Sequence, residues 1–315
     1  MKYKVFVDGQ EGTTGLQIND RLAKRTDLEI LKIDAEKRKD IEERKRLLNE
    51  ADIAFLCLPD AAAAESVSLV TSSNTRIIDA STAHRTAPGW TYGIPELGPD
   101  YREAIKNTKR LTNPGCYSTT FIMSLYPLVK LGIVPKDYPV TCSSISGYSG
   151  AGKKLIAKYE VTHEIENPES PKYYALKLMH KHIPEMQKVT GLDYKPLFTP
   201  VVSSYYKGMG TSVPLHTRLL SKKVSAADVR EILAEYYQGQ RFVNVMPFDS
   251  DSFLDSNSFF NLQECNDTNN IDIFVFGNDE QIMILSRLDN LGKGASGAAV
   301  QNMNIMLGLD EGLGL

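Results

Sequence analysis

Residues 3–15 read Tyr-Lys-Val-Phe-Val-Asp-Gly-Gln-Glu-Gly-Thr-Thr-Gly, and a helical pattern follows from Leu16 to about Lys24. The first six form a short apolar strand, and the glycines at 9, 12 and 15 mark a turn before the helix. Strand, glycine turn and helix, in that order, make the phosphate-binding corner of a dinucleotide fold. Glycine lets the backbone approach a pyrophosphate, and the helix N-terminus offers it N–H donors and partial positive charge. The spacing is GxxGxxG rather than the commoner GxGxxG. Gly9, Gly12, Thr13, Thr14 and Gly15 are therefore the first cofactor-binding candidates.

Outward from this corner, strands are expected at Leu28–Ile33, Ile53–Leu58 and Arg76–Asp79, with helices at Lys37–Glu50 and Asp60–Thr71. Strands alternating with helices predict a parallel sheet wound in the Rossmann manner. Asp34, after the second strand, is suited to accept from an adenosine ribose hydroxyl and favours NAD. Lys37, Arg38 and Arg44 lie just beyond, suited either to a 2′-phosphate, which favours NADP, or to a solvated helix face. The residues alone leave that choice open. Asp79-Ala80-Ser81-Thr82-Ala83-His84-Arg85 follows a buried strand at the sheet edge where ligands gather. Ser81 is a candidate donor to phosphate or carboxamide, and Arg85 a candidate partner for a substrate anion. The competing reading is a polar loop that caps the strand. Trp90 and Tyr92 read as packing residues.

Residues 113–119, Asn-Pro-Gly-Cys-Tyr-Ser-Thr, place Cys116 at the mouth of an apolar helix expected over Tyr117–Leu131. A helix N-terminus stabilises a thiolate, the reactive form of cysteine. The competing reading is a small buried hydrophobe. Beyond it, strands are expected at Val140–Ser146, Leu197–Ser203, Thr211–Leu219, Asp272–Phe276 and Gln281–Leu288, with a helix at Ala226–Gln238. That mixture predicts an α+β domain on a mixed, antiparallel-rich sheet. The loop Gly147–Lys153 is glycine-rich and ends in a base, so Gly150 and Lys153 are substrate-binding candidates.

His180-Lys181-His182-Ile183-Pro184-Glu185 supplies the acid–base candidates, because a thioester-forming cysteine needs a partner that moves protons near neutrality. Read as an extended strand, the two histidines face opposite sides, and only one reaches the cysteine. His182, beside the Ile-Pro-Glu turn with Glu185 to orient it, is favoured over His180. His84, His163 and His216 have no comparable context. A His-x-His metal site lacks further ligands nearby, so no metal is expected. The stretch Asp289–Ala299 adds Asn290 and Gly292 as cofactor-binding candidates, before an apolar helix at Val300–Leu307. Its small residues allow close packing, and the helix is expected to return to the first domain.

The chain has 315 residues, 42% hydrophobic and 24% charged, with net charge −3. It carries no broad basic excess for nucleic acid and no apolar run long enough for a membrane span. A strand that starts at once leaves no room for a signal peptide. The four cysteines (57, 116, 142 and 265) lack metal spacing and fit a reducing cytoplasm.

Taken together, GxxGxxG, NPGCYST, HKHIPEM and DNLGKGASGAAVQN resemble N-acetyl-gamma-glutamyl-phosphate reductase, in its shorter bacterial form, across essentially the whole chain. That family belongs with the aspartate-semialdehyde and glyceraldehyde-3-phosphate dehydrogenases. The resemblance implies Cys116 as nucleophile and a histidine of the HKH element as acid–base group. It implies NADP as cofactor, an acyl-phosphate substrate, a homodimer or homotetramer, and a place in arginine synthesis. With the C-terminal helix returning, the expected division is an NADP-binding domain of 1–115 plus 290–315 and a catalytic and oligomerisation domain of 116–289. Alternatives are an aspartate-semialdehyde dehydrogenase, a lysine-pathway homologue, or a non-catalytic NADP-binding regulator.

Overall fold

A computed structural model of the chain describes residues 2–9, 12–249 and 251–315. Gln10 and Glu11 of the glycine turn lie outside the described residues. The chain divides into two compact units, Met1–Gly115 with Ala295–Leu315, and Cys116–Gly294. Among the described residues no helix is long and apolar enough to cross a membrane.

The first unit contains β1 (Tyr3–Asp8), α1 (Thr13–Leu22), β2 (Leu28–Leu31), α2 (Ile41–Glu50), β3 (Ile53–Leu56), α3 (Asp60–Leu69) and β4 (Arg76–Asp79). It continues with β5 (Thr91–Tyr92), α4 (Pro99–Asn107) and β6 (Arg110–Thr112). The six strands lie in the order β2-β1-β3-β4-β6-β5, every pair parallel. Alternation along the strands feeds two cores. Val5, Val7, Ile53 and Phe55 face one side, packed with Ile18 and Leu22 of α1. Phe6, Ala54 and Leu56 face the other, packed with Leu47 and Leu48 of α2 and Ala63 of α3. Two covered faces explain why β3 is buried at every residue.

The expected Rossmann sheet is present, with its order reversing between β1 and β3. One helix boundary moves. The expected helix from Lys37 is a 3₁₀ turn, Ala35–Lys37, and α2 starts only after Asp40, whose carboxylate accepts from the Glu43 amide at 3.1 Å.

The second unit contains α5 (Cys116–Lys130), β7 (Thr141–Gly147), α6 (Lys153–Glu160), β8 (Lys172–Tyr173), α7 (Ile183–Thr190), β9 (Leu197–Ser203) and β10 (Met209–His216). It ends with α8 (Ala226–Tyr236), β11 (Val243–Val245), β12 (Ile271–Gly277) and β13 (Gln281–Leu288). The seven-stranded sheet runs β11-β12-β13-β10-β7-β9-β8. Its β12–β13, β13–β10, β10–β7 and β9–β8 pairs are antiparallel, as the mixed, antiparallel-rich expectation requires.

Helix α5 lies on one face of this sheet, buried almost all round. Its hydroxyls fasten it there. Thr120 Oγ1 is 2.7 Å from Thr211 Oγ1 of β10, and Ser124 donates to Ser286 of β13 at 3.2 Å. On the opposite face Ile145, Pro214 and Met283 are exposed. A π-helical turn, Gly292–Ser296, then leads into α9 (Gly297–Met306), which packs against α1 and α4 of the first unit.

Candidate active site

In the first unit, β1 delivers Gly9 in a left-handed conformation, φ +90°, where a Cβ would lie 2.4 Å from the carbonyl oxygen of Cys57. Only glycine fits there. Gly12 caps α1 with no side-chain hydrogen bond, and the first turn holds no acidic residue. Thr13 Oγ1 is buried without a hydrogen-bond partner among the described residues. A helix start behind a glycine turn, with no side-chain cap among the described residues, fits the pyrophosphate of a dinucleotide. Thr14 and Gly15 complete this turn of α1.

At the end of β2, Asp34, Lys37, Arg38 and Lys39 are all exposed. Arg44 is not available with them. Its guanidinium is buried, 3.1 Å from Asp8, 2.8 Å from Glu65 and 2.6 Å from Ser66 Oγ, which corrects its reading as a 2′-phosphate candidate.

Asp79, at the end of β4, is fully buried and organises the loop that follows. Its carboxylate accepts from the Ser81 amide at 2.9 Å, from Ser81 Oγ at 2.9 Å and from His84 Nδ1 at 2.6 Å. Ser81 Oγ in turn accepts from the Ala83 amide at 3.2 Å. The Ser81 hydroxyl proton is thus directed at Asp79 rather than outward. His84, passed over in the sequence, is held by Asp79 and stacked on Trp90 with centroids 4.1 Å apart. The signal available was an Asp and a His five apart, directly after a buried strand. Arg85 donates to the Ala80 carbonyl at 3.1 Å.

In the second unit, Cys116 is the first residue of α5 and half-buried. Gly294 lies so close behind it that a Cβ there would come within 2.8 Å of Cys116 Cβ. Cys57 is pushed up to about 12 by desolvation and then by Asp79 and Asp8, and Cys265 to about 12 by burial and then Asp272. Burial pushes Cys142 up as well.

Two phenols, Tyr117 and Tyr174, lie within electrostatic reach of Cys116, and two imidazoles pack against Tyr117. Tyr174 Oη donates to Tyr117 Oη at 3.1 Å and lies 3.4 Å from His180 Nε2. Tyr117 lies 5.6 Å from His180 and 5.7 Å from His182, ring centre to ring centre. Burial first, then neighbouring charge including that of Cys116, raises Tyr117 well above the usual phenol range. Tyr174 is pushed up to about 12 by burial, while Tyr117 pulls it down and Cys116 adds to the rise.

The histidines do not lie on a strand, which corrects the extended reading. His182 precedes α7, with Pro184 in the first turn and Glu185 buried beside it. Proline and an acidic residue at that point start a helix rather than a turn. His182 is 5% exposed, and its amide donates to His180 Nδ1 at 3.1 Å. The glycine-rich loop is a 3₁₀ turn, Tyr148–Ala151, and Gly150 and Lys153 are exposed at the approach to α6.

Asn290 and Gly292 are buried and structurally engaged. Asn290 Oδ1 accepts from the Gly208 amide at 2.8 Å, and its Nδ2 donates to Ser149 Oγ at 3.0 Å. A Cβ on Gly292 would lie 2.5 Å from the Thr268 carbonyl oxygen.

Residues 4–108 match the family model described as semialdehyde dehydrogenase, NAD binding domain, and 116–290 match semialdehyde dehydrogenase, dimerisation domain. The solved aspartate semialdehyde dehydrogenase from Francisella tularensis superposes with a TM-score of 0.73 at 15% identity, covering 97% of this chain and 100% of that one. At that identity the likeness is one of fold. N-acetyl-gamma-glutamyl-phosphate reductase 2 of a Nostoc species is 50% identical, over 100% of this chain and 99% of the relative. The N-acetyl-gamma-glutamyl-phosphate reductase of Mesorhizobium japonicum is 45% identical, over 98% and 100%. Full-length identity at this level, on the fold the sequence predicts, means that the chain belongs to the N-acetyl-gamma-glutamyl-phosphate reductase family.

Proposed function

We propose that this chain reduces N-acetyl-L-glutamyl 5-phosphate to N-acetyl-L-glutamate 5-semialdehyde with NADPH, releasing phosphate, in cytoplasmic arginine biosynthesis. The observation that carries this reading is Cys116. It is a half-buried thiol opening a helix, and its charge reaches two buried phenols, one of which packs against both histidines.

The Cys116 thiolate attacks the acyl carbonyl carbon. A carbon–sulfur bond forms, the carbon–oxygen bond to phosphate breaks, and a thioester remains. First-turn amides of α5 have no acceptor within the helix and are suited to the oxyanion at this step. NADPH, when bound, supplies the hydride. His182 gives the resulting oxyanion a proton and takes it back as the carbon–sulfur bond breaks, returning thiolate and aldehyde. The proton consumed overall ends on the departing phosphate. His182 is preferred to His180 because the His180 Nδ1 lone pair is already taken by the His182 amide.

The α1 turn is assigned to the pyrophosphate and Arg38 to the 2′-phosphate, which supports NADP over NAD. Arg85, Gly150 and Lys153 are assigned to the anionic groups of the substrate. Residues 1–115 with the C-terminal helix serve as the NADP-binding domain, and the rest as the catalytic and oligomerisation domain. A homodimer or homotetramer is assigned, with the exposed sheet face at Ile145, Pro214 and Met283 as the surface a second copy covers.

Phosphate-dependent NADP reduction with N-acetylglutamate semialdehyde tests the activity. Turnover is expected with this aldehyde, and only weakly with aspartate semialdehyde. The opposite preference would replace this reading with the aspartate-semialdehyde one.

A further inference from the structure

Tyr174 lies just past β8, where strand alternation sends Tyr173 into solvent, 64% exposed, and turns Tyr174 inward. Its amide donates to the Pro200 carbonyl at 3.3 Å, which ties it to β9. The inward phenol meets two partners, Tyr117 at 3.1 Å and His180 at 3.4 Å.

The direction of the hydrogen bonds follows from one contact. The His182 amide is an obligatory donor, so His180 Nδ1, 3.1 Å away, must be an acceptor. A neutral imidazole that accepts at Nδ1 carries its proton on Nε2. Nε2–H therefore points to Tyr174 Oη, and the Tyr174 proton goes on to Tyr117. Tyr117 in turn is hydrogen-bonded to Ser146 of β7. Both phenols stay protonated at neutral pH, because burial holds them above the usual range.

We infer that Tyr174 is a positioning residue for the reaction: through a hydrogen-bond chain it holds the ring of His180, whose Nδ1 in turn holds the backbone of His182 at the start of α7. The inference rests on the proposed roles of Cys116 and His182. Without the Tyr174 hydroxyl, Nε2–H loses its contact with the phenol and the His180 ring is held less firmly. The contact of the His182 amide with His180 Nδ1 loosens with it, and the acid–base ring shifts.

The test compares Tyr174→Phe with Tyr173→Phe in the full chain. For Tyr174→Phe, kcat is expected to fall by about tenfold to a hundredfold, with KM for the acyl phosphate little changed. The pH profile of kcat shifts with it. Tyr173→Phe leaves both constants unchanged. Independently of any variant, nitrogen-15 NMR of histidine in the wild-type chain should report an Nε2–H tautomer for His180. Unchanged kcat in folded Tyr174→Phe, or an Nδ1–H tautomer at His180 in the wild type, overturns the inference. If instead Cys116→Ser retains full activity, the catalytic reading itself fails, so the two failures are distinct.

Discussion

Cys116 and Gly294 define the nucleophile by contact, because nothing larger than a hydrogen fits on Gly294 without striking Cys116 Cβ. Gly294→Ala is expected to move the thiol and lower kcat by about a hundredfold, while NADP affinity holds. Equal kcat in the variant would show that the contact yields without consequence. The thiols themselves make a second prediction. Burial disfavours the charged thiolate, so it raises a thiol's pKa and lowers its reactivity at neutral pH. Cys57 and Cys265, near 12, and Cys142, raised as well, should therefore label slowly with iodoacetamide at neutral pH. Cys116 should take the label first, as peptide mapping would show. Labelling that begins at another cysteine would remove the case for an activated Cys116.

Helices and strands carried most of what the sequence revealed. The glycine turn at 9–15 announced its own fold, because Gly9 needs a left-handed φ and a contact closer than any side chain allows. The NPG turn announced α5, and alternation announced β9 and β13 residue for residue. Other features were hidden for physical reasons. Helix α7 has only eight residues, and its start signal, proline then glutamate, also reads as a turn. Arg44 looks like any solvated base until β1 and α3 bring Asp8 and Glu65 to it. The Asp79–His84 contact depends on how a loop folds back, which periodicity does not report. At this scale the β2 end makes a prediction about the cofactor. Arg38→Glu should weaken NADPH more than NADH, as the ratio of kcat/KM values would measure. An unchanged ratio would locate 2′-phosphate recognition elsewhere.

As a whole, the chain pairs a parallel sheet suited to a dinucleotide with a mixed sheet that carries the thiol on its covering helix. A ligand that binds only the native state protects what it orders. NADP should therefore slow hydrogen exchange most around β1, α1 and the end of β2, with little change in β12 and β13. Protection spread evenly over both sheets would contradict a cofactor site confined to the first unit. The central claim is covalent, that the acyl group passes through Cys116. Mixing the chain with N-acetylglutamyl phosphate in the absence of NADPH, then measuring released phosphate and intact mass, tests it directly. The account predicts a stoichiometric phosphate burst and an N-acetylglutamyl adduct on the peptide containing Cys116, both lost in Cys116→Ser. A burst that survives that substitution, or an adduct on another residue, would contradict it.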